Sequence, residues 1–292
     1  MTAAAPRSES RPDPEVGTWV APPSSERRYR SLLRAVRFLL HLVTRRTQVG
    51  DLPATGPVIV VGNHLSVADA FILTTAVARR GRRIRMLGTA GLFRAPVVGA
   101  LLPAVGYIPV DRRGTTPAAA LGPARAALED GQCIGLYPEG AITKDPDAWP
   151  GRGKSGVVRL ALDTGAPVVP LAQWGTHRFV GEEGTRLRAL LSPLTRPRVD
   201  VRLGAPIDLR ALLGVDRAAD ATAVQLRAGA GAVMDALVAE LVVLRGEPAP
   251  PHAGRAVWGP SRPDALINAG FVSSAGLRSA TSPAWITGEQ GQ

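Results

Sequence analysis

A histidine and an aspartate five residues apart, His64 and Asp69, stand in the stretch VIVVGNHLSVADAF that runs from Val58 to Phe71. A neutral imidazole titrates near pH 7 and can remove a proton from a hydroxyl. A carboxylate on its second ring nitrogen fixes the tautomer and stabilises the imidazolium that forms. Such a pair activates an alcohol for attack on a carbonyl carbon. The same residues have a second reading. Ser66-Val67-Ala68-Asp69 has the S-x-x-D form of a capping box, in which serine and aspartate satisfy free amides at a helix start. His64 is then only a loop residue. The stretch alone leaves both readings open.

The elements around the pair have a clear rhythm. Pro57–Val61 is short, apolar and β-branched, as a buried strand requires. Further strand candidates are Ile84–Leu87, Val105–Val110, Cys133–Tyr137, Val168–Ala172 and Val199–Leu203. Helical stretches lie between them at Val67–Arg79, Thr116–Asp130 and Gly156–Thr164, and a closing helix lies within Ala221–Gly246. This alternation predicts an α/β fold, a largely parallel or mixed sheet flanked by helices. A basic amphipathic N-terminal helix precedes it over residues 27–46. Tyr29, Leu32, Leu33, Val36, Leu39, Leu40 and Val43 fall on one stripe, widened by Phe38 and Leu42, while Arg30, Arg34, Arg37 and His41 share the opposite side. Such a helix either lies in a membrane interface or packs on the domain with a solvated arginine face. Residues 1–23 read as a disordered tail, 24–245 as the folded domain, and 246–292 as a Pro/Gly-rich, largely disordered tail.

Composition narrows the classes. An apolar fraction of 45% supports a sizeable core in a chain of 292 residues. The single cysteine, Cys133, excludes an internal disulfide and any cysteine-rich metal site. The N-terminus lacks the apolar core of a signal peptide, and no run of about 18 apolar residues marks a transmembrane span. A net charge of +11 calls for an anionic partner. With 4% aromatic residues and no nucleic-acid-binding signature, a membrane surface or phosphorylated substrate is expected and nucleic acid is not. Arginine supplies nearly all of the positive charge; the only lysines are Lys144 and Lys154.

GNHLSVADAF resembles the N-H-x4-D block of glycerolipid acyltransferases, the family that includes 1-acyl-glycerol-3-phosphate acyltransferases. Three further stretches follow in the family's order. LFRAPVVGALLPAVGYIPVDR (92–112) resembles the block ending in an arginine, GLYPEGAIT (135–143) resembles F-P-E-G-T, and GAPVVPLA (165–172) resembles the block built around V-P. The resemblance spans roughly residues 50–210. It implies that His64 is the general base and Asp69 its orienting partner. It also implies that Arg112 holds an acceptor phosphate, that Glu139 and Gly140 line the acceptor side, and that Lys154 matches a basic position before the next helix. Asn63, Ser66, Pro138 and Pro170 then shape the acyl cleft or its backbone. EGAIT departs from the family's E-G-T-R at Ala141 and Ile142. His177 is a rival base without a carboxylate at short spacing.

The resemblance implies transfer of a fatty acyl group from acyl-CoA or acyl carrier protein to the hydroxyl of a lysophospholipid, foremost 1-acyl-glycerol-3-phosphate, to give phosphatidic acid. No metal or organic cofactor is implied. The expected location is the cytoplasmic face of a membrane, peripheral or monotopic, on an anionic membrane surface. Alternatives are another lysophospholipid or glycolipid acceptor, or a non-catalytic module that binds anionic membranes.

Overall fold

The computed structural model describes residues 26–66, 68–94, 99, 102–103, 105–110, 117–178 and 196–255. Its centre is β2 (Val58–Gly62), whose five residues are all buried. β2 pairs in parallel with β5 (Cys133–Leu136) on one side and β6 (Val168–Trp174) on the other. Helices cover both faces of such a sheet, so its central strands must be apolar throughout rather than alternating. β3 (Ile84–Thr89) and β4 (Ile108–Val110) extend the sheet beyond β5, and β7 (Arg198–Leu203) and β1 (Arg45–Val49) extend it beyond β6. The order is β1-β7-β6-β2-β5-β3-β4, with β6–β7 the antiparallel pair. The expected mixed, largely parallel α/β architecture is what the chain forms.

Two helix layers sandwich the sheet. Val58 and Val60 face α1 (Glu26–Val43) and α2 (Asp69–Arg79), packing with Leu40, Ile72, Leu73 and Val77. Ile59 and Val61 face the opposite layer, where Leu128, Val158, Leu162 and Val233 lie. That layer comprises a short turn α3 (Pro117–Ala120), α4 (Gly122–Glu129), α5 (Gly156–Thr164), α6 (Leu209–Leu213) and α7 (Ala223–Arg245). The period of two along β2 thus splits its side chains between two cores. The stretch expected as one helix over Thr116–Asp130 is broken at Leu121, just ahead of Gly122-Pro123, where proline removes a helical amide.

The connections locate the site. From β2 the chain crosses through α2 to β3 on one side; from β5 it crosses through α5 to β6 on the other. Right-handed crossovers in opposite directions put α2 and α5 on opposite faces. The crevice between the carboxyl ends of β2 and β5 is therefore a topological switch point, where open α/β sheets bind ligands.

Two features depart from the sequence expectation. Helix α1 stops at Val43, not Arg46, where the buried Thr44 hydroxyl donates to the Leu40 carbonyl. Arg45 then opens β1, an edge strand of sequence RRTQV paired only with β7. The apolar stripe of α1 is also split. Tyr29 and Leu40 are buried, whereas Phe38 is 64%, Leu39 53% and Leu42 48% exposed. No helix among the described residues is long and apolar enough to cross a membrane.

Candidate active site

The strand register builds the site. Val61 pairs with Leu136, so the two strands end level and His64 and Pro138 leave their ends side by side. Tyr137 follows directly on β5, and its ring stacks on the His64 imidazole with centroids 4.0 Å apart and planes within 7°. Gly62 makes this possible: a Cβ there would sit 3.1 Å from the Tyr137 ring and 3.0 Å from Leu73. Burial raises the Tyr137 hydroxyl well above its ordinary pKa, and the Asp69 charge adds to the effect, so the plate under His64 is a neutral phenol.

His64 Nδ1 lies 3.0 Å from Asp69 Oδ2. An ionised carboxylate only accepts, so this ring nitrogen carries the proton. The same Oδ2 accepts the backbone amides of Leu65 at 2.5 Å and Ser66 at 2.7 Å. Asp69 is wholly buried, and the His64 side chain is 19% exposed. The remaining nitrogen, Nε2, makes no hydrogen bond among the described residues. The two readings of the stretch turn out to be one structure. Asp69 reaches back to the Ser66 amide, as the acid of a capping box does, and holds the imidazole with the same oxygen. The serine half of the box is absent, because Ser66 Oγ accepts from Ala68 N at 3.0 Å.

Asn63 anchors the turn that projects His64. Its Nδ2 donates to the Gln173 carbonyl at 2.9 Å, and its Oδ1 accepts the Gln173 amide at 2.8 Å. Gln173 Nε2 donates to the Asn63 carbonyl at 2.9 Å. Both side chains are fully buried. Asn63→Ala would strand a buried amide and a buried carbonyl of Gln173. It is expected to cost about 2–6 kcal/mol in a denaturant titration, at about 1–3 kcal/mol per unsatisfied group.

Glu139 joins the histidine to the next loop. Oε1 accepts from His64 N at 3.4 Å and Oε2 from Gly151 N at 2.9 Å. Burial pushes its carboxyl above the ordinary range, opposed by those two amides. Gly140 takes φ +75°, a left-handed turn that glycine adopts without steric cost. Thr143 N donates to the His64 carbonyl at 2.8 Å, and Lys154 N donates to the Pro138 carbonyl at 2.9 Å.

Asn63, His64, Ser66, Asp69, Pro138, Glu139 and Gly140 thus gather at one strand edge. Pro170 stands apart from it, buried inside β6 opposite Val61. The Lys154 side chain lines a neighbouring cleft. Arg112 lies outside the described residues. His177 packs on Trp174, ring centroids 4.6 Å apart. Among the described residues no group of three His, Cys, Asp or Glu could hold a metal ion. Sequence reasoning missed Tyr137, Gln173 and Gly151. Gln173 did leave a signal, a lone amide at the end of the apolar run VVPLAQW.

Comparison with known proteins bears on this arrangement. The acyltransferase family model matches residues 45–174, a span holding the strand edge and every site residue just placed there. Over 130 residues the chain is 31% identical to a 1-acyl-sn-glycerol-3-phosphate acyltransferase of Borreliella burgdorferi, which is 44% of this chain and 50% of that protein. It is 27% identical over 125 residues to the enzyme of that name from Bacillus subtilis, which is 43% of this chain and 59% of that one. The chain therefore spans about half the length of these curated relatives. Its fold is similar to the crystal structure of the 1-acyl-sn-glycerophosphate (LPA) acyltransferase PlsC from Thermotoga maritima. The TM-score is 0.52 at 19% identity, covering 76% of this chain and 83% of that one. Over residues 45–174 this chain is similar to the acyltransferase family.

Proposed function

We propose that the chain is a membrane-associated O-acyltransferase. It moves a fatty acyl group from acyl-CoA or acyl carrier protein to the free hydroxyl of a lysophospholipid, foremost 1-acyl-glycerol-3-phosphate. The observation that carries this reading is the His64–Asp69 pair, its Nδ1 held at 3.0 Å on a side chain 19% exposed, with Nε2 making no hydrogen bond among the described residues.

The steps follow from that geometry. Nε2 takes the proton of the acceptor hydroxyl as its oxygen attacks the thioester carbonyl, and the carboxylate of Asp69 stabilises the imidazolium. The tetrahedral intermediate collapses, the C–S bond breaks, and the departing thiolate takes the proton back from Nε2. The acceptor supplies the nucleophile, so no serine or cysteine is acylated. Stacking on Tyr137 and the Glu139 and Thr143 contacts to the His64 backbone restrict the ring to one orientation, which favours a reactive geometry.

Helix α1 supports the membrane part of the reading. Phe38, Leu39 and Leu42 face outward beside exposed Arg30, Arg34, Arg37 and His41. Apolar side chains flanked by arginines suit the boundary between acyl chains and anionic headgroups. Phe38→Asp with Leu42→Asp is expected to lower affinity for vesicles containing anionic lipid by at least about tenfold, read by flotation.

The reaction is tested with purified protein, detergent-dispersed 1-acyl-glycerol-3-phosphate and mixed acyl-CoA or acyl carrier protein donors, with products read by mass spectrometry. Phosphatidic acid is the expected product. Failure with every donor across a panel of lysophospholipid and glycolipid acceptors would overturn the proposal. The panel is needed because Ala141 and Ile142 replace the threonine and arginine of the family's pattern. Preference for a non-phosphorylated acceptor would reassign the acceptor while keeping the chemistry.

A further inference from the structure

The last residue of α7, Arg245, has a side chain only 7% exposed. Its guanidinium lies between two indoles, 4.0 Å from the Trp149 ring centroid and 4.0 Å from that of Trp174. Trp149 is buried in the loop that follows the Glu139 turn, and Trp174 ends β6. A planar cation suits this place, because it stacks on both ring faces while its edge stays free for hydrogen bonds. One edge nitrogen donates to the Asp147 carbonyl at 2.8 Å, and another meets the Glu247 carboxylate.

Each indole leads to His64 by a short chain of contacts. The Trp149 carbonyl accepts the Thr143 hydroxyl at 2.8 Å, and the Thr143 amide donates to the His64 carbonyl at 2.8 Å. Two residues past Trp149, Gly151 N donates to Glu139 Oε2, and the other oxygen of Glu139 accepts the His64 amide. On the second side, Trp174 adjoins Gln173, the clamp on Asn63. Arg245 thus keys together the two segments that hold the His64 turn.

The loop over 143–151 needs an outside hold. Ala148, at φ +60°, is the one non-glycine residue with positive φ among the described residues. A side chain is strained in that region, and the conformation persists only where its surroundings fix it. Arg245 bonds the residue before Ala148 and stacks on the residue after it. The chain beyond α7 adds to the hold. His252 Nε2 lies 2.7 Å from Asp145 Oδ2, and Gly254 N donates to the Pro150 carbonyl at 2.8 Å.

We propose that Arg245 is a positioning residue for His64, its flat guanidinium locking the 143–151 loop against the turn that carries the imidazole. This rests on the reading of His64 as the general base and adds to it a residue from the far end of the fold. The test uses the full chain with Arg245→Ala and Arg245→Lys, each beside a thermal melt. At a temperature where Arg245→Ala is folded, its kcat is expected to fall by about tenfold to 10²-fold, the scale on which small misplacements of a reacting group act. The KM for donor and acceptor should stay unchanged, since the loss falls on the transition state. Arg245→Lys keeps the charge but cannot lie flat on two rings, and should show a smaller loss of the same kind. Ala148→Gly added to Arg245→Ala should return part of the kcat, because glycine takes positive φ without the clamp.

A readout that needs no substrate separates positioning from stability. In histidine-labelled protein the Cε1 proton of His64, assigned with His64→Gln, is shielded by the Tyr137 face on which the imidazole stacks. Its NMR signal should move downfield in Arg245→Ala as the stack loosens. A folded Arg245→Ala with wild-type kcat and a wild-type His64 signal would overturn the proposal, whatever its melting temperature. Where Arg245→Ala does not fold, Arg245→Lys decides by the same two readings. Wild type that makes no product from any donor defeats the reaction instead, and the His64 signal still decides whether Arg245 positions the ring.

Discussion

His64→Ala is expected to lower acyl transfer by at least about 10²–10⁴-fold, the usual contribution of a positioned general base. The drop should fall on kcat, because the imidazole acts on the proton in flight and adds little to ground-state binding. Stability should change little. The side chain is 19% exposed, and its main packing contact is the Tyr137 ring. The measurement is steady-state transfer beside a thermal melt of the same preparation. A variant that melts with wild type and retains full activity would remove His64 from the mechanism. Loss of activity with loss of fold would be separated by His64→Gln, which keeps polar bulk over Tyr137 without a basic nitrogen and should be equally inactive.

Asp69 carries two loads, and its variants should separate them. Asp69→Ala removes the acceptor of the Leu65 and Ser66 amides in a fully buried place. At about 1–3 kcal/mol for each stranded donor, the loss should be about 2–6 kcal/mol in a denaturant titration. Asp69→Asn keeps an oxygen for those amides but loses the charge opposite Nδ1, so its stability loss should be smaller. Its activity should still fall by about 10²–10⁴-fold, since the imidazolium is no longer stabilised and the tautomer no longer held. Combining His64→Ala with Asp69→Asn should cost little more than His64→Ala alone, because the aspartate acts through the histidine. Additive losses would mean that Asp69 serves the reaction by another route.

The contact that holds the turn ahead of α2 and, on the proposed mechanism, the carboxylate that orients the base are one oxygen, Asp69 Oδ2. On the proposed mechanism, transfer therefore depends on a fold contact that stability assays can read directly. The stacked Tyr137 and the Asn63–Gln173 clamp extend the same logic outward, since each restrains the turn that carries His64.

The elements that could be read from the sequence are those whose signals are local. The buried strands β2, β5 and β6 are apolar and β-branched because both faces are covered, and α5 shows its apolar face and terminal Gly165 within nine residues. His64 and Asp69 could be paired in advance because one strand end and one helical turn separate them. What stayed hidden depends on register between distant segments. Strand β1 carries no apolar signal, since an edge strand is exposed along one side, and only its pairing with β7 makes it a strand. Asn63 meets Gln173 across 110 positions. Tyr137 reaches His64 because Val61 and Leu136 end level, and spacing along the chain contains no trace of that. The helical wheel of α1 identified an amphipathic segment, but only tertiary packing decided that Tyr29 and Leu40 turn inward and that Phe38 and Leu42 stay outside. Sequence by itself determined the α/β class and brought His64 and Asp69 forward as a pair, because periodicity and short spacing are properties of neighbouring residues. The tertiary structure alone decided the plate beneath the base and the clamp behind it, because each is made where chain closure brings remote segments within reach.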